Sequence, residues 1–201
     1  EKDLRAAGFA GEILISTSSG GCMHVEELIE RPIFTVKSGP AMAPVAGRTF
    51  AATEDFGGDV IICDTGGTTF DVGLVRDGEL KYTRETWLGG QYTGHLIANS
   101  SVDMRSIGAG GGSIAWIDAG GLLQVGPQSA GAVPGPACYG NDGEEPTVTD
   151  AALVLGYIDP EYFLGGKMPL DLAAARRVVG ALGEKLNLSP ERTAYSIMTL
   201  A

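Results

Sequence analysis

The sequence predicts a mixed fold of the α/β or α+β class, and three observations lead to this prediction. Apolar runs of strand length, bounded by turn residues, lie mainly in the first two-thirds of the chain. Helical patterns with recognisable N-caps fill the last third. The 201 residues are 44% hydrophobic, which is enough to bury a sizeable core in one or two domains.

The first third of the chain is predicted to contain one strand and two helices. Residues 12–17 are typical of a buried strand, and residues 23–30 are predicted to form a short helix. An alanine-rich helix is expected at 41–53, begun by Gly39-Pro40 and continuing despite Pro44 in its interior.

A β-meander is predicted next. Its strands are expected at 59–63, 70–76 and 79–87. Asp77-Gly78, between the last two strands, is a strong signal for a two-residue hairpin turn. Residues 91–101 are expected to be irregular.

The remaining elements are a second hairpin, a long loop and three helices. The hairpin is expected at 113–118 and 122–126, and the Gly- and Pro-rich residues 127–147 are expected to form an ordered loop. The helices are predicted from their capping residues: the first follows Thr149 or Asp150 and ends at Gly156, the second spans 172–186 after Asp171, and the third begins at Ser189-Pro190.

One loop of the meander has the composition of a phosphate site. This Gly-Thr loop, residues 64–71, reads Asp-Thr-Gly-Gly-Thr-Thr-Phe-Asp and follows an apolar strand. Because Gly66 and Gly67 have no side chains, their backbone N–H groups can approach an anion closely. Thr68 and Thr69 add hydroxyl donors. The loop is therefore predicted to bind phosphate.

The Gly-Thr loop begins and ends with an acid. Asp64 and Asp71 are hard oxygen ligands, so both are candidate Mg²⁺ ligands, directly or through water. The loop differs from a P-loop because no Lys follows its glycines, and from a dinucleotide fingerprint because a strand follows it. The alternative is a simple hairpin turn in which Asp64 holds its own backbone.

Charge and cysteine content exclude several classes of function. The net charge is −11, and no basic cluster exceeds the pair Arg176-Arg177, so nucleic acid is not an expected partner. Three scattered cysteines are too few for a disulfide framework or a zinc site, and Cys63 is expected inside a buried strand. No signal peptide or membrane-spanning run is found, so a cytoplasmic protein without membrane contact is expected.

A second glycine-rich segment, the glycine run, covers residues 106–114. It has two interpretations: a packed turn at which two backbones cross, or a second cradle for an anion or substrate. In the second interpretation the candidate contacts are Gly108, Gly110, Gly111, Gly112 and Ser113.

Three further side chains have open roles. Arg105, which precedes the glycine run, can recognise a carboxylate or phosphate, or it can form an ion pair with Asp103. Ser129 has no nucleophile-elbow setting, and the small, proline-stiffened stretch 129–140 is expected to be a structural wall. Cys138 can act as a nucleophile only with a base close by.

Six stretches together resemble one protein family, in order and along nearly the whole chain. They are Ser38–Ala41, Asp64–Val72, Ile107–Ile114, Val125–Ala132, Pro134–Gly140 and Pro146–Ala151. They resemble the hydantoinase A/oxoprolinase family. That family includes ATP-dependent N-methylhydantoinase, 5-oxoprolinase and the nucleotide-binding subunits of acetone and acetophenone carboxylases.

The resemblance implies an actin-like, sugar-kinase-like (ribonuclease H-like) ATPase fold, in which the Gly-Thr loop is the second of two phosphate elements. The chain has no initiator Met and ends within a helical pattern, so we expect a central fragment of the family domain that is inactive alone. Its expected parts are a connecting region at 1–56, the phosphate-loop meander at 57–90, a Gly/Pro-rich insertion at 91–147 and a helical segment at 148–201.

The resemblance also implies a reaction in which ATP and Mg²⁺ activate a carbonyl group. For a cyclic amide of the hydantoin or 5-oxoproline type, the γ-phosphate goes to the amide oxygen; for a ketone, an enol oxygen is phosphorylated before CO₂ is attacked. Asp64 is the expected catalytic ligand of Mg²⁺ or water, Asp71 an orienting acid, and residues 66–69 the phosphate ligands. A second large subunit of hydantoinase B type is the expected partner. A sugar or acid kinase and a non-catalytic actin-like ATPase are the alternatives.

Overall fold

The computed structural model describes residues 1–201 and divides the chain into two compact units. The first unit comprises Glu1–Asp64 and Asp71–Arg105, and the second comprises Thr65–Phe70 and Ser106–Ala201. The predicted mixed α/β class is confirmed. No helix is both long enough and apolar enough to cross a membrane.

The first unit begins with short helices and a small hairpin. In chain order its elements are α1 (Lys2–Ala6), β1 (Leu14–Ser16), β2 (Cys22–His24), α2 (Val25–Glu30), a 3-10 turn at Pro32–Thr35 and α3 (Ser38–Thr53). The predicted helix at 23–30 begins later than expected, because Met23 and His24 pair with β1. The alanine-rich helix is confirmed as α3, with Pro44 in its interior.

The sheet region follows in the chain. Its strands are β3 (Val60–Thr65), β4 (Phe70–Arg76), β5 (Glu79–Leu80), β6 (Tyr82–Thr83), β7 (Thr86–Leu88), β8 (His95–Ile97), β9 (Ser101–Val102) and β10 (Met104–Ile107). One sheet has the order β10-β4-β3, with β5 paired to β4. The turn predicted at Asp77-Gly78 is confirmed, since the two residues have positive φ values of 54° and 74°.

The third strand predicted for the meander is wrong. Residues 79–87 are divided among β5, β6 and β7, because β6 pairs with β9 and β7 pairs with β8. Those partner strands lie in the segment that was expected to be irregular. A buried hydrogen bond of 2.7 Å between the hydroxyls of Thr86 and Ser101 links β7 to β9.

β3 is an edge strand and is more exposed than predicted. Val60 and Ile62 are half-buried, whereas Ile61 is 71% exposed and Cys63 is exposed. The expectation that Cys63 lies inside a buried strand is therefore wrong. The cause is that α3 packs on one face of the sheet, so only alternate side chains of β3 face the core.

Glycines allow α3 to pack closely on these strands. A Cβ on Gly73 of β4 would lie 2.5 Å from Cγ of Pro44, and one on Gly47 of α3 would lie 2.6 Å from Cγ1 of Ile62. A larger residue at either position would push the helix away from the sheet. The buried core of the first unit is Ala41, Val75, Leu80, Val102 and Met104.

The second unit combines a hairpin with three helices. Its elements are β11 (Ser113–Ile117), β12 (Leu123–Ser129), a 3-10 turn at Ala137–Tyr139, α4 (Val148–Val154), α5 (Leu172–Leu186) and α6 (Pro190–Leu200). The predicted hairpin is confirmed as β11 paired with β12. The predicted caps of α5 and α6 are also confirmed, since Asp171 accepts from the N–H of Ala174 and Ser189 from that of Arg192.

The cap of α4 differs from the prediction. Thr147, and neither Thr149 nor Asp150, is the N-cap, and its hydroxyl accepts from the N–H of Asp150. The Asp150 carboxylate accepts from the N–H of Thr147 in return, which completes a reciprocal capping box. Fully buried apolar side chains join the helices in one core: Cys138, Ala151, Val179, Ala194 and Ile197.

Candidate functional site

The central residues of the Gly-Thr loop, Thr65–Phe70, belong to the second unit. Gly66, Gly67 and Thr68 are exposed. The N–H of Gly66 donates to the carbonyl of Thr69 at 2.8 Å, which closes a tight turn. The turn exposes both glycines, but the N–H of Gly66 is used within the turn, so only Gly67 can offer its N–H to a phosphate.

The glycine run lies directly against this turn. The N–H of Gly111 donates to the carbonyl of Gly66 at 3.0 Å, and the N–H of Gly112 donates to the carbonyl of Gly67 at 2.6 Å. A Cβ on Gly110 would lie 2.7 Å from the Gly66 oxygen. No side chain fits between these two backbones.

The structure therefore favours the packed crossing as the role of the glycine run. The N–H of Gly110 donates to Oγ of Ser113 at 2.9 Å, so the N–H groups of Gly110, Gly111 and Gly112 all have partners inside the chain. They offer no free donors to a second anion. Gly108 is exposed, and its contact with a substrate stays a prediction.

The anchored carbonyls fix the direction of the neighbouring N–H groups. In a trans peptide the C=O and the N–H point in opposite directions. With the carbonyls of Gly66 and Gly67 held by the glycine run, the N–H groups of Gly67 and Thr68 point away from it. Neither N–H donates to another group of the protein, and a Cβ on Gly67 would meet no atom within 4 Å. The loop thus presents two adjacent N–H donors that no other group of the protein uses, with open space beside Gly67, which suits an anion.

The hydroxyl of Ser129 also contacts the Gly-Thr loop. Thr68 Oγ1 donates to Oγ of Ser129 at 3.3 Å, and Ser129 in turn accepts from the N–H of Gly131 at 3.2 Å. The Ser129 hydroxyl also reaches the carbonyl of Gly67 at 3.5 Å. Ser129 is therefore a neighbour of the loop and not only part of a structural wall.

The two acids that flank the loop differ in exposure. Asp64, at the end of β3, is exposed, whereas Asp71 in β4 is only 5% exposed. The chain holds no cluster of three or more His, Cys, Asp or Glu side chains that could hold a metal ion. Mg²⁺ is commonly bound by one or two carboxylates, with water and phosphate oxygens as the other ligands. Asp64 fits such a ligand, while the burial of Asp71 fits an orienting role.

Arg105 forms an ion pair with Asp103, which was one of the two roles predicted for it. Its Nε lies 3.3 Å from Oδ1 of Asp103, and its side chain is 77% exposed. An exposed pair of this kind contributes little to stability, about 0–1 kcal/mol. Recognition of an anion by Arg105 stays a prediction.

Cys138 is excluded as a nucleophile by its surroundings. The side chain is fully buried, and burial together with the adjacent Asp150 carboxylate raises the pKa of the thiol far above its ordinary value. The Asp150 carboxylate accepts from the N–H groups of Ala137 (3.2 Å) and Cys138 (2.8 Å), and from both the N–H (3.0 Å) and the hydroxyl (2.8 Å) of Thr147. Asp150 thus organises the 137–147 segment by accepting four hydrogen bonds.

Two residues in contact with the site were missed by sequence reasoning: Ser129 and Thr149. Oγ1 of Thr149 donates to the carbonyl of Gly111 at 2.8 Å. Both residues lie in stretches that carry the family resemblance, but they are 61 and 81 positions from Thr68 in the chain. Only the folded backbone brings them together.

Comparison with known proteins identifies the family of this chain. The family model described as Hydantoinase/oxoprolinase matches residues 1–201. The chain belongs to the hydantoinase/oxoprolinase family. Its resemblance to that family, inferred from six sequence stretches, is thereby confirmed.

Relatives in the hydantoinase/oxoprolinase family are named for different activities. The caprolactamase subunit alpha of Pseudomonas jessenii is 43% identical over 185 residues, covering 91% of this chain and 26% of the relative. The acetophenone carboxylase gamma subunit of Aromatoleum aromaticum is 38% identical over 182 residues, covering 88% of this chain and 23% of the relative. The nucleotide-free structure of acetone carboxylase, an enzyme of ATP-dependent acetone carboxylation, has a TM-score of 0.86 at 27% identity and covers 99% of this chain and 27% of that one. The chain thus spans about a quarter of the length of these relatives.

Proposed function

We propose that this chain supplies a phosphate-binding part of an ATP-dependent enzyme that activates a cyclic amide by phosphorylating its carbonyl oxygen. The observation that carries the proposal is the pair of outward N–H donors at Gly67 and Thr68, held by the glycine run. The actin-like ATPase fold is part of the same proposal. Its support is family membership and the likeness to the acetone carboxylase structure.

Five residues of the Gly-Thr loop have proposed tasks. The N–H groups of Gly67 and Thr68, with the hydroxyl of Thr69, bind phosphate oxygens, while the hydroxyl of Thr68 donates to Ser129. Asp64 holds Mg²⁺ directly or through water, and Asp71 orients that ligand set. Bound Mg²⁺ supplies positive charge that offsets the negative charge of the transferred phosphoryl group.

Phosphorylation makes the amide carbonyl reactive. The amide oxygen attacks the γ-phosphorus of ATP, the bond from that phosphorus to the bridging oxygen breaks, and ADP leaves. Water then adds to the carbon of the phosphorylated imidate, and the C–N bond breaks, which opens the ring and leaves an acyl phosphate with a free amine. A second water hydrolyses the acyl phosphate to the carboxylate of the amino acid and inorganic phosphate. A hydantoinase B type subunit is the proposed partner for the second half of the reaction, and support for a multi-subunit enzyme comes from the relatives described as subunits.

A ketone carboxylase is the second candidate. The observation in its favour is the acetone carboxylase structure, which covers 99% of this chain at a TM-score of 0.86. The lactam branch is preferred because the caprolactamase subunit has a higher sequence identity, 43%, than the acetophenone carboxylase gamma subunit, 38%.

ATP turnover by the full-length protein with its partner subunit, measured with caprolactam, hydantoin, 5-oxoproline and acetone, tests the proposal. Stimulation by one of the cyclic amides is expected, and stimulation by acetone alone would favour the second candidate. Tight ATP binding without stimulation by any of the four would instead point to a kinase with another acceptor or to a regulatory ATPase.

Asp64→Asn is the first variant to measure in that assay. Loss of the carboxylate charge is expected to lower kcat by about 100-fold or more, because the phosphoryl charge is then poorly neutralised. Asp142→Asn changes another exposed acid, in a loop of the second unit, and should leave kcat unchanged. An unchanged kcat in Asp64→Asn would show that Asp64 does not hold the metal.

A further inference from the structure

Each of the two outward N–H donors of the Gly-Thr loop, those of Gly67 and Thr68, lies at the end of its own series of hydrogen-bonded peptide groups. The N–H of Ser113 donates to the Gly110 carbonyl at 3.0 Å, and the N–H in that same peptide group, that of Gly111, donates to the Gly66 carbonyl. The peptide group of Gly66 ends in the free N–H of Gly67. This first series begins and ends on backbone atoms.

The second series begins on a side chain. Thr149 donates twice to the carbonyl of Gly111, through its N–H at 2.8 Å and through Oγ1 at 2.8 Å. The N–H of the same peptide group, that of Gly112, donates to the Gly67 carbonyl at 2.6 Å. The peptide group of Gly67 ends in the free N–H of Thr68. Two peptide groups therefore join the Thr149 hydroxyl to an exposed donor of the loop.

We propose that Thr149 is a positioning residue for phosphate binding, which aims and polarises the N–H of Thr68 through the peptide groups of Gly111 and Gly67. Hydrogen bonds in a chain polarise one another, so a second donor on the Gly111 carbonyl makes the N–H of Gly112 a better donor. Its bond to Gly67 then strengthens the dipole that ends at the N–H of Thr68. This inference rests on the proposed function, because it takes phosphate as the ligand of that N–H.

The surroundings of Thr149 fit this role. The residue is 9% exposed at the second position of α4, and a Cβ on Gly111 would lie 2.8 Å from its Oγ1. Glycine at 111 is therefore what lets the hydroxyl reach the carbonyl. Thr193 is a matched control in the same unit, since its buried hydroxyl donates to the Ser189 carbonyl at 2.9 Å and takes no part in either series of peptide groups.

The test compares Thr149→Val, Thr149→Ser and Thr193→Val in the full-length protein with its partner subunit. Thr149→Val removes the hydroxyl at nearly constant volume and should weaken ATP binding, measured by calorimetry, by about tenfold, the equivalent of one lost hydrogen bond. Thr149→Ser should bind within about twofold of the wild type, because the hydroxyl is retained. Thr193→Val should lower Tm and leave ATP affinity unchanged. Equal weakening by Val and Ser at 149, or wild-type affinity in Thr149→Val, would overturn the proposal.

Hydrogen exchange separates this inference from the proposed function. In Thr149→Val, amides in peptides that cover residues 110–113 should exchange faster than in the wild type and in Thr149→Ser. If the wild type binds no ATP, the proposed function fails, and the exchange comparison alone decides whether Thr149 holds the peptide groups. Unchanged exchange would refute that arrangement. Should Thr149→Val not fold, Thr149→Ala takes its place in both comparisons.

Discussion

Gly67 and Gly110 lie on opposite sides of the same backbone crossing and differ in the space around them. A Cβ on Gly67 would meet nothing within 4 Å, whereas one on Gly110 would lie 2.7 Å from the Gly66 oxygen and 2.8 Å from the Thr68 nitrogen. Glycine at 110 is needed for the fold. Glycine at 67 is needed only if another molecule approaches that space.

Gly67→Ala and Gly110→Ala are therefore expected to have different effects. Gly67→Ala should keep the wild-type Tm but weaken ATP binding by about tenfold or more, because the new methyl group stands where phosphate oxygens approach. Gly110→Ala should destabilise the protein by about 1–3 kcal/mol, because its Cβ meets backbone atoms that cannot rotate away. Thermal unfolding and calorimetric titration with ATP measure both effects. Wild-type affinity in Gly67→Ala would mean that no ligand occupies this space.

Cys138 is expected to make the stability of the protein depend on pH in the alkaline range. Burial, together with the negative charge of Asp150, raises the pKa of the thiol in the folded protein. In the unfolded chain the thiol has its ordinary pKa of about 8.5. Below that pH both states are protonated. Above it the unfolded chain loses a proton that the folded chain keeps, so the free energy of unfolding should fall with rising pH, with a slope of up to about 1.4 kcal/mol per pH unit. Urea unfolding at pH 8 and pH 10 measures the slope.

Cys138→Ala is the control for this pH dependence. It keeps every other titrating group, so the difference between the two proteins isolates the thiol. A wild-type protein whose stability changes with pH in parallel with the variant would show that the folded thiol ionises normally.

At the scale of single elements, Asp150 links the start of α4 to the preceding loop. Its carboxylate is fully buried and accepts four hydrogen bonds, from Ala137, Cys138 and twice from Thr147. The four donors are all N–H or O–H groups. If an amide replaced the carboxylate, its NH2 group would face some of these donors and could not accept their hydrogen bonds.

Asp150→Asn is thus expected to lower the free energy of unfolding by about 2–4 kcal/mol, because buried donors lose their acceptor. Asp171→Asn is the matched control: Asp171 is the exposed N-cap of α5, and Asn caps as well as Asp, so its effect should stay within about 0.5 kcal/mol. Denaturant unfolding of the two variants measures the difference. Equal effects would mean that the hydrogen bonds to Asp150 are not needed for stability.

The elements that sequence reasoning predicted well are those determined by neighbouring residues. The caps at Asp171 and Ser189 and the Asp77-Gly78 turn depend on contacts within four positions, and all three are confirmed. The pairing of β7 with β8 was missed, because three-residue strands leave too short a pattern to detect. In the same way, the composition of residues 64–71 predicted a phosphate loop but did not predict that the glycine run anchors it. Backbone hydrogen bonds between distant segments leave no side-chain pattern in the sequence.

At the scale of the whole molecule, the two units bury very different cores. The second unit has thirteen buried apolar residues in its core cluster, and the first has five. The first unit also exposes large apolar side chains, with Phe50 69% and Phe56 77% exposed. Since burial of apolar surface is the main source of stability, the second unit should be the more stable one.

Native-state hydrogen exchange of the 201-residue chain tests this expectation. The slowest amides should lie in α4, α5 and α6, whereas β1–β2 and β7–β8 of the first unit should open at a lower free energy. Peptide-level mass spectrometry resolves these regions. Equal protection of the two units would show that they unfold together, in spite of their different cores.

In the proposed phosphate-binding role of the Gly-Thr loop, the anchoring of its carbonyls also affects how fast and how selectively the loop binds. The donors of Gly67 and Thr68 hold their direction before any anion arrives, so binding sacrifices little conformational entropy. No closing motion of this loop has to precede capture, and the association rate should follow diffusion and charge. Differences between phosphate compounds should therefore appear in their dissociation rates. A rigid pair of donors selects its ligand by shape.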